Sequence, residues 1–406
     1  MKFKLATMAA AMFAATGAAS AADLGRPAPA AVDYVKVCDA YGAGFFYIPG
    51  SQTCLKIGGY VRAEYRAYDF DNAFAALSGV NRGVNNPTAH DFTTRVRAQV
   101  TLDARTNTEF GLLRSFTEAW WTVDSGSSSP SVTLWNAYIQ FGGLTAGRAQ
   151  SFFDFYTGTT YGSFFEAAHS DTKVNLLAYT FSFGNGVSAS LSLEDPTTGS
   201  NSRRLGSIFA APFTFSAANT TYGGVKMLDV VGNVRIAQAW GSAQLMAAAH
   251  QNVSSITNNE KWGYAVGAGV TVNLPMLAAG DTVNLQAVYS KGATAYAGAD
   301  LSMGAWDFFQ TGPSNFRQGT AWSVAGGLVH YWTPKLSTAV NGSYLNVETP
   351  VANFLDYKQI DAQINTVYTI VPGMTIGGEL EYRKIDFKNG GDTDALVGLL
   401  RFQRNF

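Results

Sequence analysis

The 406-residue sequence predicts an all-β protein: a transmembrane antiparallel β-barrel of about 16 strands, with short periplasmic turns and long external loops. Three observations predict it. Apolar and polar side chains alternate over segments of about 10 residues, the length a tilted strand needs to cross a bilayer. The connections between those segments are short and long by turns. An export signal heads the chain, and beyond it no apolar run reaches the roughly 20 residues that a spanning helix needs.

The export signal is residues 1–21. Lys2 and Lys4 precede an apolar run over 5–13, and small residues lead to Ala19-Ser20-Ala21, an A-x-A cleavage site. A membrane anchor or a core helix is the alternative, but the apolar run is too short to span a bilayer. The mature chain is expected to begin at Ala22, with Ser20-Ala21-Ala22 as another processing site, and residues 22–406 read as one barrel domain.

Export puts Cys38 and Cys54, the chain's 2 cysteines, in an oxidising compartment. A bridge between them closes a small loop, worth roughly 3 kcal/mol in the chain-entropy model. The alternatives, a metal site or a reactive thiol, would need His or acidic partners at ligand spacing, so no metal and no cofactor is expected.

Charge is balanced, with 28 Lys+Arg against 29 Asp+Glu. No strong global field draws such a chain to nucleic acid. Charged residues make up 14% of the chain, below the usual quarter, while aromatics reach 13% and glycines number 42. Two classes remain: a secreted β-protein, or an outer-membrane barrel.

The strands decide between them. In "KIGGYVRAEYRAY", Ile57, Val61, Ala63, Tyr65 and Ala67 share one face, and Lys56, Tyr60, Arg62, Glu64 and Arg66 the other. "TRVRAQVTLDA" sets Val96, Ala98, Val100 and Leu102 against Arg95, Arg97, Gln99 and Asp103. "VSASLSLED", "KWGYAVGAGVTVN", "VNLQAVYS" and "QIDAQINTVYTI" repeat the pattern. Tight turns are expected at "RTNT", "FGGL", "FGNGV", "AWGS", "YWTPK" and "IVPGM", with "NLPMLAAGDT" slightly longer. Longer polar stretches fall around 69–91, 124–131, 151–172, 196–228, 252–260, 292–320, 348–356 and 386–394. The pattern is weakest over 108–121, where Arg114 and Glu118 interrupt it, and over 321–331, so the count can be off by two. Trp120, Trp121, Trp240, Trp262, Trp332 and Phe406 stand at strand ends, as interfacial girdles do, although each alone also suits core packing.

"VCDAYGAGFFYIPGSQTCLKIGGYVR", "GGLTAGRAQSFFDF", "LLAYTFSFGNGVSASLSLED", "DVVGNVRIAQAWGSAQ" and the terminal "LVGLLRFQRNF" resemble the general porins of alphaproteobacterial outer membranes, from about residue 32 to the end. The resemblance implies a homotrimer of 16-stranded barrels, surrounded by outer-membrane lipid and lipopolysaccharide. It implies passive diffusion of ions and small hydrophilic solutes past a third external loop folded into the pore, which falls at 151–172.

Arg62, Arg66, Arg95, Arg97, Arg114 and Arg148 read as one basic wall projecting into a wet lumen. Asp154, Glu166 and Asp171 sit on the inward loop and can oppose it. The plainer alternative is that these charges satisfy one another or brace loops. Enzyme chemistry is thinly supported: His169-Ser170-Asp171 are neighbours in sequence, which a convergent triad is not. A substrate-specific channel would instead order aromatic and charged groups along the lumen. An adhesin or receptor would use the large loops at 196–228 and 292–320.

Overall fold

The computed structural model describes residues 36–71, 90–198, 203–206, 222–255, 258–300, 305–310, 316–350 and 356–406. The signal at 1–21 lies outside the described residues, as do most of 69–91, more than half of 196–228 and a smaller part of 292–320.

Among the described residues, 16 long strands close one antiparallel barrel. They are β1 (Cys54–Phe70), β2 (Phe92–Thr108), β3 (Gly111–Asp124), β4 (Ser131–Phe141) and β5 (Leu144–Gln150). Then come β6 (Lys173–Gly184), β7 (Val187–Glu194), β8 (Asp229–Gln238), β9 (Gly241–Val253), β10 (Glu260–Asn273) and β11 (Thr282–Lys291). β12 (Thr320–Thr333), β13 (Leu336–Glu348), β14 (Tyr357–Val371), β15 (Met374–Phe387) and β16 (Gly391–Asn405) complete the wall. Each strand pairs with its sequence neighbours. β16 pairs back onto β1 from Ala395↔Phe70 to Asn405↔Tyr60, leaving no free edge.

Alternation sorts the two faces as the sequence reading expects. Val61 and Tyr65 are 53% and 47% exposed on the outside, while Glu64 between them on the inner face is 1% exposed. The outer surface is apolar on nearly every strand, which a barrel tolerates because lipid, not water, covers it. Trp121, Trp240, Trp262, Trp332 and Phe406 stand on it. Trp120 does not: it pairs with Gln99, whose side chain points inward, and so belongs to the lumen.

Two connections differ from expectation. "RTNT" stays inside β2 and the chain reverses at Glu109-Phe110, because Arg105 still pairs with Arg114 across the sheet. The stretch at 386–394 shrinks to a Lys388-Asn389-Gly390 turn, with Gly391 at φ +80° taking the left-handed conformation. The two weakly patterned segments become full strands, β3 and β12. In β3, Arg114 and Glu118 are inner-face residues and interrupt nothing.

Cys38 and Cys54 are bridged, with Cα atoms 6.0 Å apart. Cys54 opens β1 opposite Arg105, beside the Glu109-Phe110 reversal, so the loop lies at the short-turn, periplasmic rim. It leans on inward-facing groups. Lys56 Nζ donates to the Ala43 carbonyl at 3.1 Å, and the Arg105 guanidinium sits 5.0 Å from the Phe45 ring.

Candidate functional site: a constricted channel

Residues 151–172 leave β5 and turn into the barrel, docking on the far wall through sockets made by missing side chains. A Cβ on Gly269 would lie 2.2 Å from Phe155, one on Gly327 2.2 Å from the Tyr156 hydroxyl, and one on Gly377 2.2 Å from the Tyr161 hydroxyl. Wall side chains then take up the loop's main-chain donors. Gln286 accepts from Tyr156 N at 3.0 Å and Glu379 from Tyr161 N at 2.6 Å. Glu381 accepts from Ser163 N at 2.8 Å and from Phe164 N at 3.0 Å, and also from Phe165 N. Hydrogen bonds to a carboxylate are among the stronger ones, so this acid clamps the loop tip. Phe164 and Phe165 pack on Tyr68 and Phe70, joining a core inside the barrel with Leu345, Ile385 and Val397.

The loop thus fills the side of the lumen lined by β10–β15 and leaves the side lined by β16 and β1–β4 open. The open wall is basic. Glu64 is surrounded by three guanidinium groups: Arg401 at 2.6 Å, Arg62 at 3.4 Å and Arg66. Arg95 grips Asp124 through two bonds of 2.6 and 2.8 Å. Arg97 donates to Thr122 Oγ1 at 2.8 Å and lies 4.3 Å from the Trp120 ring. Arg62 and Arg97 face each other directly across β1 and β2. Like charges so placed repel, which water and passing anions relieve. Lower on the wall, Arg105 and Arg114 share Asp103.

The remaining expected site residues lie elsewhere. Arg148 pairs with Ala137 and Asn175, and through Ala137 with Thr117 and Leu102, which is 40% exposed on the outer face. Paired residues share a face, so Arg148 points outward and donates to the Leu134 carbonyl at 2.9 Å. Asp154 is shut away: its carboxylate is 0% exposed and pairs at 3.0 Å with Arg203 from the 195–228 connection. Asp171 stays at the loop's return, 3.6 Å from Lys173. Glu166 is exposed, and its main-chain carbonyl accepts from Arg383 at 2.7 Å. His169, Ser170 and Asp171 form no triad: Ser170 donates to Asp154 and accepts from Arg203, while His169 packs 5.5 Å from the Tyr156 ring. Burial pushes the His169 imidazole below its ordinary pKa.

Arg401, Glu379 and Glu381 were not singled out by sequence. Their signal was available in "GELEYR" and "LLRF", where charged residues stand at inward parity within apolar strands.

A family model described as a porin subfamily, Porin_2, matches residues 26–398. The chain is 32% identical over 425 residues to porin Omp2b of Brucella suis, covering 100% of both chains. It is 31% identical over 421 residues to porin Omp2b of Brucella abortus, covering 100% of this chain and 99% of that one. Among solved structures, the outer-membrane channel DcaP of Acinetobacter baumannii superposes with a TM-score of 0.72 at 15% identity, over 89% of this chain and 99% of that one. The anion-selective porin of Comamonas acidovorans does so at 0.50 and 11%, over 87% and 100%. With a closed barrel, an inward loop and full-length relatives on record, the chain belongs to the Porin_2 family and is a porin of the outer membrane.

Proposed function

We propose that this general porin passes small hydrophilic solutes by passive diffusion with a preference for anions, and that it works as a homotrimer once residues 1–21 are removed. One observation carries the anion preference. The open side of the constriction carries Arg62, Arg66, Arg95, Arg97 and Arg401 against Glu64, Asp124 and Glu118 among the described residues. A basic wall facing the inward loop raises the local concentration of anions and repels cations. Asp154 drops out of the constriction, leaving Glu166 and Asp171 as the loop acids that temper the field.

Trimer assembly rests on the family, with support from Arg148. A charged side chain facing lipid costs about 2–4 kcal/mol near the bilayer midplane, and a contact between subunits removes that cost. Lipid and lipopolysaccharide would meet the remaining apolar outer face.

The test is single-channel recording of the purified protein in a planar bilayer across a potassium chloride gradient. Ohmic steps grouped in threes, with a reversal potential on the chloride side of zero, are expected. A reversal potential on the potassium side would refute the anion preference.

A further inference from the structure

One cluster on the open wall goes beyond charge. Inner-face alternation along β3 brings Trp120 into the lumen, with the Arg97 guanidinium 4.3 Å from its ring. The register between β3 and β4 slips there: Glu118 pairs with Asn136, but Ala119 pairs with Leu134. Trp135 is the extra residue of a β-bulge. Regular alternation from Asn136 would turn Trp135 out to lipid. The bulge instead leaves Leu134 outside, 49% exposed, and stacks Trp135 on Trp120 with ring centroids 4.5 Å apart. Lys173 Nζ lies 4.7 Å from the far ring. The result is a column of cation, indole, indole and cation running round the wall across β2–β6. On β1 beside it, the Arg62 guanidinium lies 4.7 Å from the Tyr60 ring.

Every member of the column except Lys173 keeps part of its surface open to the lumen. Arg97 makes no ion pair among the described residues, its neighbour Arg95 having taken Asp124. A hydroxyl or amide side chain would keep such a wall wet at no cost. Two stacked indoles beside a guanidinium without an ion pair make a different surface, one that offers an anion a charge and, next to it, the apolar edges of two rings.

We propose that this column is a weak binding ledge for anions that carry a flat apolar body, the simplest being aromatic monocarboxylates. The carboxylate meets Arg97 and Arg62, and the ring meets the indole pair. The inference rests on the anion-preferring channel proposed above and adds a solute class to it.

The test uses the full chain in planar bilayers carrying a chloride current. Sodium benzoate and sodium acetate are added separately, and the concentration that halves the chloride current is read for each. Both acids bring one carboxylate, so their ratio isolates the ring. In the unmodified protein benzoate is expected to act at about tenfold lower concentration than acetate, the factor an aromatic contact of about 1.4 kcal/mol supplies. Trp135→Leu should bring the ratio close to one. Equal potency in the unmodified protein overturns the ledge, and so does a ratio that Trp135→Leu leaves unchanged. If that variant fails to insert, Trp120→Phe decides: its smaller ring should lower the ratio severalfold, and no change overturns the proposal. A cation-preferring channel that still blocks tenfold better with benzoate would refute the anion preference and leave the ledge standing.

Discussion

Tyr161 crosses the barrel wall at Gly377, where a Cβ would come within 2.2 Å of its hydroxyl, and the Arg401 guanidinium covers the other side of its ring at 3.7 Å. The tip of the constriction loop is therefore held between a hole in β15 and a cation on β16. The seat of the loop tip holds a hydrogen atom where any other residue would place a methyl group or more.

Gly377→Ala should push Tyr161 off its socket toward the basic wall and narrow the channel. Single-channel conductance is expected to fall while the barrel still forms, since Gly377 pairs normally with Arg401 in the sheet. An unchanged conductance would show that the loop tip is positioned by its other contacts alone.

The buried Arg203–Asp154 pair ties the 195–228 connection to the base of the constriction loop. Asp154→Asn removes the charge and leaves Arg203, 1% exposed, without its partner. Breaking one side of a buried pair costs about 3–5 kcal/mol. The expected result is a lower unfolding temperature and a noisier open-channel current. Ion selectivity should change little, because neither residue faces the pore water.

Replacing Arg95 and Arg97 together by Gln should move the reversal potential toward that of a cation-preferring channel. The shift should be larger at 0.1 M salt than at 1 M, since the screening length falls from about 10 Å to about 3 Å. Equal selectivity before and after the substitution would remove both from the constriction.

Reducing the Cys38–Cys54 bridge should loosen the periplasmic rim without closing the channel. The loop rests on Lys56 and Arg105, well away from the loop tip at Tyr161. The roughly 3 kcal/mol the bridge contributes should show as lower heat resistance and as proteolysis within 36–53, with conductance retained. Complete loss of current on reduction would contradict this.

Much of the architecture was legible because a strand's pattern is local. Val61 and Tyr65 against Glu64, or Leu191 against Ser192, state which face meets lipid without reference to any other part of the chain. The same period counted the strands, and the long polar stretch between two of them marked the connection at 151–172. Where the reading went astray, the cause was an assumption that charge means inward. Arg148 is charged and faces out, because the face is set by its register with Ala137 and Asn175.

What the sequence by itself determined was the barrel and its two alternating faces, while the entry of the 151–172 connection into the pore was implied by the family resemblance. Only the tertiary structure decided which side of the lumen stays open. The partners that decide it are distant in the chain: Glu381 holds Phe165, Arg203 hides Asp154, and Arg401 joins Arg62 only when the last strand meets the first. A bulge that adds one residue turns Trp135 from lipid to water, and no local pattern announces it. Periodicity is a property of neighbours along the chain, whereas a constriction is made by residues that closure of the barrel brings face to face.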